Sequence, residues 1–293
     1  MTKPKILVTG STGLLGSSLL SQFKGIGFKL IAHGYKHDAE LVFDLTDSAK
    51  THAALSIIKP DVIINLVGLT SVELCQEQPK MAYLVNARTV ENIVGWISNS
   101  NPSCHLIQIS TDQVYDSPVL NKEDAVSLSN IYAYSKYAGE QAANRVNSSI
   151  LRTNFIGRSK AKNRESLSDW IFYSMLNSRQ VEVLSDVYFS PLSMFTLVEM
   201  IKLVVDQKPI GIFNLGSHNG MSKADFDYAF AKRLKLPVET MTRIKVSDAK
   251  FMRAYRPKDM RMDCSKFENA LGVKLPDFEE EIVRVAKDYV DVA

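Results

Sequence analysis

An α/β fold, with a doubly wound parallel sheet followed by a smaller C-terminal lobe, is predicted by three observations. The first half of the 293-residue chain alternates short apolar runs with stretches of helical spacing. A glycine-spaced loop follows the first of these runs. After about residue 155 the alternation loses its regularity. Alternating strand and helix patterns build βαβ units, whose right-handed crossovers place helices on both faces of a parallel sheet.

Each element follows from local pattern. "KILVT" (5–9) is a short apolar run bounded by glycine, as a strand buried on both faces requires. "LLGSSLLSQF" (14–23) has apolar residues at helical spacing, and "KLIAH" (29–33), "DVIINLV" (61–67), "HLIQIS" (105–110) and "SILRTN" (149–154) read as further strands. Helices are expected over 48–58, 80–98 and 131–146, with Pro79 at a helix start, where its missing N–H costs nothing. Beyond, helices are expected near 166–177, 194–206, 222–234 and 278–290, and a strand at 211–215. The expected division is 1–155 for the sheet domain and 156–293 for a smaller substrate-binding lobe, with segments returning to the main domain.

Composition narrows the class. The chain is 45% apolar and 23% charged, as an ordinary globular protein is, and its net charge of +3 does not argue for nucleic acid. Cys75, Cys104 and Cys264 are scattered and odd in number, and the five histidines show no ligand spacing, so neither a disulfide framework nor a metal site is expected. No run reaches membrane-spanning length and no signal-like stretch precedes the first strand, so a cytoplasmic protein with no membrane partner is expected. "RSKAKNR" (158–164) gathers Arg158, Lys160, Lys162 and Arg164, either as a solvated basic loop or as a collar for an anion such as a diphosphate.

"VTGSTGLLG" sets Gly10, Gly13 and Gly16 directly after the first strand and at the mouth of the first helix. Glycines at these places permit a tight turn, close backbone approach to a pyrophosphate and close packing of helix on strand, while the helix N-terminus supplies N–H groups. The loop predicts a Rossmann-type dinucleotide site with Gly10, Thr12, Gly13, Leu14, Leu15 and Gly16 as its contacts. At the end of the second strand, "IAHGYKHDA" offers His33, Tyr35, Lys36 and His37 and no acid. An acid there would bind a ribose 2′-hydroxyl. Its absence tolerates a 2′-phosphate, with Lys36 the nearest cation, so NADPH is the expected cofactor and NADH the alternative. Asp44 in "FDLTD" suits the adenine amino group, whereas Asp47 suits the cap of the following helix.

"YAYSK" (132–136) presents Tyr132 and Lys136 four residues apart, hence on one helical face, while Tyr134 and Tyr137 point elsewhere and read as packing or surface residues. Together with the loop, "DLTD", "NLVG" (65–68), "VNA" (85–87) and "ISTDQVYD" (109–116), this resembles an extended short-chain dehydrogenase/reductase. "PDVIINLVGLTSVELCQEQPKMAYLVNA", "STDQVYD", "YAYSKYAGE", "LRTN" and "RPKDMRMDCSKFENALGVKLP" narrow the resemblance to the dTDP-4-dehydrorhamnose reductase branch, nearly end to end. Three positions depart from it. Ser17 and Ser18 stand where an acid often serves a metal-assisted dimer contact, Phe155 stands for a tryptophan lining the sugar site, and "NLVG" is bulkier than the usual alanine-rich stretch. The dimer mode is therefore open, although a homodimer is compatible.

The resemblance implies NAD(P)H-dependent reduction of the 4-keto group of a nucleotide-linked deoxysugar. It gives Tyr132 as proton donor, Lys136 as the cation that stabilises its phenolate and binds the nicotinamide ribose, and Thr111 as the residue holding the carbonyl, with Ser110 its neighbour. A free tyrosine titrates near pH 10, and an adjacent ammonium brings it toward the operating pH. Leu45, Leu66, Val67, Gly68 and Asn86 are further cofactor positions. Asn154, Trp170, Ser190 and Arg256 are substrate positions, Arg256 for a phosphate, with Trp170 equally readable as core. Gln113 after Asp112 replaces the acid of the resembling 4,6-dehydratases and cannot titrate, so dehydration is disfavoured and Asp112 reads as a loop tie. Cys104 and His105 begin a strand, the wrong end for an epimerase pair. The alternative of another class is a non-catalytic binding subunit like the regulatory β subunit of methionine adenosyltransferase, which resembles the same branch.

Overall fold

The computed structural model describes residues 3–36, 38–250 and 252–290. The chain forms two compact units: residues 1–111, 130–152 and 200–213 make the first, and residues 112–129, 153–199 and 214–293 the second.

The first unit is built on β1 (Lys5–Thr9), α1 (Leu14–Phe23), β2 (Lys29–Gly34), β3 (Leu41–Val42), α2 (Ser48–Ile58), β4 (Val62–Asn65), α3 (Val72–Glu77), α4 (Pro79–Tyr83), α5 (Thr89–Ser100), β5 (His105–Ile109), α6 (Ile131–Ala143) and β6 (Ser148–Thr153). Then come β7 (Phe155–Ile156), α7 (Leu167–Leu176), β8 (Val181–Leu184), β9 (Tyr188–Phe189), β10 (Leu192–Ser193) and α8 (Met194–Gln207). The chain continues through β11 (Gly211–Leu215), β12 (Met221–Ser222), α9 (Lys223–Arg233), β13 (Met241–Ile244), α10 (Ser265–Leu271) and α11 (Phe278–Lys287).

Seven strands form the main sheet in the order β11-β6-β5-β4-β1-β2-β3. The pairings β1–β2, β1–β4, β2–β3, β4–β5 and β5–β6 are all parallel. Chain order reverses between β1 and β4, and the crevice beyond the carboxyl ends at such a switch point is where ligands of this architecture bind. The middles of β1, β4 and β5 are apolar because both faces are covered: Ile6, Leu7, Val8, Val62, Ile63, Ile64, Leu106 and Ile107 are wholly buried. Asp47 caps α2 by accepting from Lys50 N at 3.1 Å, as its position predicts.

One expected helix is three pieces. Residues 80–98 divide into α4, a π-helical turn at Leu84–Arg88, and α5. The apolar spacing is nearly continuous across the turn, so periodicity does not reveal the extra residue that a π turn holds. Pro79 opens α4. The short elements β3, α3 and α10 also lack a sequence pattern long enough to register.

The second unit has small sheets that pair β7 with β10, β9 with β12 and β8 with β13. Its core is aromatic. Phe226 is stacked against Phe230 (ring centroids 5.7 Å) and Phe278 (5.6 Å), and Phe189 meets Phe226 edge-on at 5.8 Å. Phe226 is wholly buried among these rings. Phe226→Ala is expected to lower the unfolding free energy by about 3–5 kcal/mol in urea titrations, the cost of a large aromatic cavity. A loss below about 1 kcal/mol would contradict this packing.

Candidate active site

The first unit assembles its chemistry at the carboxyl ends of the strands beside the switch point. Gly10 has φ +68°, which favours glycine, and a Cβ there would lie 3.0 Å from Leu66 C and Val67 N. At Gly16 a Cβ would lie 2.5 Å from Gly10 O and 2.7 Å from Ser11 C, so only glycine lets α1 leave β1 this closely. Gly13 is the N-cap of α1 with no side chain to offer, and the first turn carries no acid. Leu14 and Thr12 are half-buried, and Leu15 is buried on the helix's inner face. The bare helix start above a glycine cradle fits a pyrophosphate, whose charge it attracts.

The rim at β2 is more mixed. His33 is buried, and its Nε2 donates to Phe43 O at 2.9 Å while its ring lies 4.3 Å from that of Phe43. Burial above all lowers its pKa, against the opposing effects of the Phe43 carbonyl and Asp44, so it faces the protein as a neutral ring. Tyr35 and Lys36 are exposed, with the ammonium 5.4 Å from the tyrosine ring centroid. His37 lies outside the described residues. Asp44 Oδ1 accepts from Thr46 N at 2.9 Å and Thr46 Oγ1 at 2.8 Å, a local turn that orients the carboxylate. Buried Leu45 uses its carbonyl to accept from Asn92 Nδ2 at 2.8 Å.

A row of hydrogen bonds runs across the strand ends. Thr9 Oγ1 donates to Asn65 Oδ1 at 2.6 Å, Asn65 Nδ2 to Gln108 Oε1 at 2.7 Å, and Gln108 Nε2 to Ile109 O at 2.9 Å. These residues are register partners across β1, β4 and β5. The row ends where the chemistry begins, because Lys136 Nζ also donates to Ile109 O, at 2.7 Å. Sequence reading missed it, although one polar residue near the carboxyl end of each of these strands was the available signal.

Helix α6 carries the Tyr–Lys pair. Asn130 caps it by accepting from Ala133 N at 2.8 Å. Tyr132 and Lys136 are both buried on its inner face, Tyr134 is 56% exposed and Tyr137 half-buried. Burial lowers the Lys136 pKa to about 8, against the opposing charges of Glu140 and Cys75. Gly68 stands beside this ammonium: a Cβ there would be 3.7 Å from Lys136 Nζ and 3.4 Å from Asn86 Oδ1. Asn86, buried in the π-helical turn, accepts from Leu69 N at 2.7 Å and donates to Leu69 O at 3.1 Å and Ser135 Oγ at 2.8 Å. It therefore pins the half-buried Leu66–Val67–Gly68 loop beside α6. Thr111, two residues beyond the Ile109 carbonyl, is buried.

The second unit holds the remaining predicted residues. Asn154 Nδ2 donates to Asp112 Oδ2 at 2.7 Å, so Asp112 ties its loop. Ser190 is buried and its hydroxyl accepts from Met262 N at 3.3 Å. Trp170 is 38% exposed on α7, which removes the core reading. Half-buried Arg256 is among the charges acting on Lys223, whose pKa is lowered mainly by burial and raised back by Asp112 and Asp227. Lys223 opens α9 with no sequence signal to mark it. The basic loop lines a cavity of about 350 Å³ with Arg158, Ser159, Arg164, Asp169 and Tyr173, but the Arg158 guanidinium is already committed to Asp288 O at 3.0 Å. Among the described residues no group of three or more His, Cys, Asp or Glu could hold a metal, and no helix is long and apolar enough to cross a membrane.

Comparison with known proteins follows this geometry. Methionine adenosyltransferase 2 subunit beta of Xenopus tropicalis is 25% identical over 93% of this chain and 84% of its own length. A dTDP-4-dehydrorhamnose reductase of Sinorhizobium fredii is 26% identical over 96% of each chain. The crystal structure of a dTDP-4-dehydrorhamnose reductase from Clostridium acetobutylicum superposes with a TM-score of 0.86 at 25% identity, covering 97% of this chain and 98% of that one. Nearly the whole chain, residues 4–290, matches the model described as the RmlD substrate binding domain, and to that family this protein belongs.

Proposed function

We propose that this protein is an NAD(P)H-dependent oxidoreductase that reduces the 4-keto group of a nucleotide-linked deoxysugar. The observation that carries the reading is the buried Tyr132–Lys136 face of α6, with the ammonium anchored on Ile109 O two residues before Thr111. The bound nicotinamide supplies a hydride. Tyr132 gives a proton to the oxygen of the reduced carbonyl, Thr111 holds that oxygen, and Lys136 favours the phenolate left behind. The glycine loop binds the cofactor diphosphate, Asn86 and Gly68 keep the wall beside Lys136 close, and Lys36 meets a 2′-phosphate. In the second unit Asn154, Trp170, Ser190 and Arg256 are assigned to the sugar nucleotide, with Arg256 on a phosphate. The similarity to dTDP-4-dehydrorhamnose reductases supports this reading, and a homodimer accords with it.

The similarity to methionine adenosyltransferase 2 subunit beta favours a second reading, a cofactor-binding subunit of another enzyme. The two separate on one comparison: NADPH oxidation with a panel of 4-keto nucleotide sugars that includes dTDP-4-dehydrorhamnose, against a stable complex with a methionine adenosyltransferase catalytic subunit.

Three outcomes are expected. Tyr132→Phe lowers turnover by at least about 100-fold, the scale of positioned proton transfer; near-wild-type NADPH oxidation by this variant would eliminate the assignment. Lysine loses its charge as pH rises through its pKa, so turnover falls as pH passes about 8, the value to which burial lowers Lys136. A rate still climbing well above that pH would contradict a role for the ammonium. Michaelis constants favour NADPH over NADH and Lys36→Ala narrows the gap, whereas a preference for NADH of about tenfold or more in the wild type would reverse the cofactor assignment.

A further inference from the structure

The proton chemistry above does not use Glu140, Arg152 or Ser110, yet these form an almost wholly buried ionic group in the first unit. Arg152 Nε donates to both carboxylate oxygens of Glu140 at 3.1 Å, and its terminal nitrogen to Oε2 at 2.7 Å. Their side chains are 1% and 0% exposed. An ion pair this deep adds little over apolar residues of similar volume, because desolvation offsets its attraction. Stability therefore does not account for it.

Its third partner does. Ser110 Oγ donates to Glu140 Oε1, and Ser110 stands between Ile109, which accepts from Lys136, and Thr111. Glu140 and Lys136 are one turn apart on the same face of α6. Helix and strand end are thus joined by two tethers, from residues one turn apart to consecutive residues of the chain. Two such points fix the helix both along and about its axis, which a single contact leaves free. We propose that Glu140, clamped by Arg152, is a positioning residue that holds the Tyr132–Lys136 face of α6 in register with Thr111 and keeps Lys136 charged. The groups acting on that ammonium are Cys75 from α3 and Glu140 from α6, with the Ile109 carbonyl from β5 and Arg152 of β6 behind the carboxylate. Burial pushes the Cys75 thiol up to about 11, so it is neutral near pH 8 and Glu140 supplies the counter-charge.

The inference rests on the assignment of Thr111, Tyr132 and Lys136 as catalytic, and one of its readouts needs no substrate. The midpoint of Lys136 is followed by NMR of ¹³Cε-lysine in the full chain, the signal being assigned by its loss in Lys136→Met. In Glu140→Gln the midpoint is expected to fall by about one unit, the scale of losing a nearby opposite charge. Because that variant leaves Arg152 buried and unpaired, Glu140→Gln/Arg152→Met is measured beside it; it removes both charges, folds, and still titrates below the wild type. Glu140→Asp keeps the charge but is one methylene short of Ser110, so its midpoint stays near the wild-type value while kcat for NADPH oxidation falls at least about tenfold with the NADPH Kd unchanged. A wild-type midpoint in the double variant overturns the proposal. So does wild-type turnover in Glu140→Asp when Tyr132→Phe is inactive, whereas full activity in Tyr132→Phe overturns the catalytic assignment itself.

Discussion

The absence of a single carbon atom at residue 16 is the constraint from which the first unit follows. A side chain there would meet Gly10 O at 2.5 Å and Ser11 C at 2.7 Å, well inside van der Waals contact, so α1 packs against the turn that leaves β1 only because Gly16 has none. That contact sets where α1 begins, and the first turn of α1 has no side-chain cap. Gly10 approaches the Leu66–Val67 backbone from the other side. Three backbone segments thus converge with almost no intervening side chain, which is what a compact, highly charged diphosphate needs from a protein surface.

Polarity is arranged with equal economy. Thr9 and Asn65 end β1 and β4, Gln108 is the last residue but one of β5, and each satisfies the next across the sheet until Ile109 O, which accepts from both Gln108 and Lys136. Buried polar groups without partners are costly, and a connected row avoids that cost while stiffening the strand ends. The ammonium therefore stands on a carbonyl that the sheet itself holds in place. Its depressed pKa reflects burial, which the charge of the acid one turn further along α6 opposes.

Much of this was legible in the sequence. The main strands and the longer helices through residue 155, the glycine loop, the shared face of Tyr132 and Lys136, the outward Tyr134 and the cap at Asp47 all follow from short-range rules, because each depends on neighbours within a few residues. What escaped depends on partners far along the chain. The polar row joins residues 9, 65 and 108, the Glu140–Arg152 pair links a helix to the strand after it, and Lys223 acquires its surroundings from residues 112 and 256. Asp44 looked free to meet a base, but Thr46 uses one of its oxygens. The second unit was less readable because its sheets are two-stranded and short, leaving too few residues for a periodic signal.

The π-helical turn at Leu84–Arg88 has a structural cost and a consequence for how this protein can change. Such a turn holds one residue more than an α-turn, so losing one residue there would restore ordinary hydrogen bonding and leave the helix intact. The bulge absorbs that residue within one turn, so α4 and α5 would stay nearly in register and the change would fall on the turn itself. Asn86, which sits inside the turn, would lose its place against Leu69 and Ser135 while α5 kept its seat. Shortening by one residue at this spot would be quiet for folding and ruinous for the wall beside the ammonium.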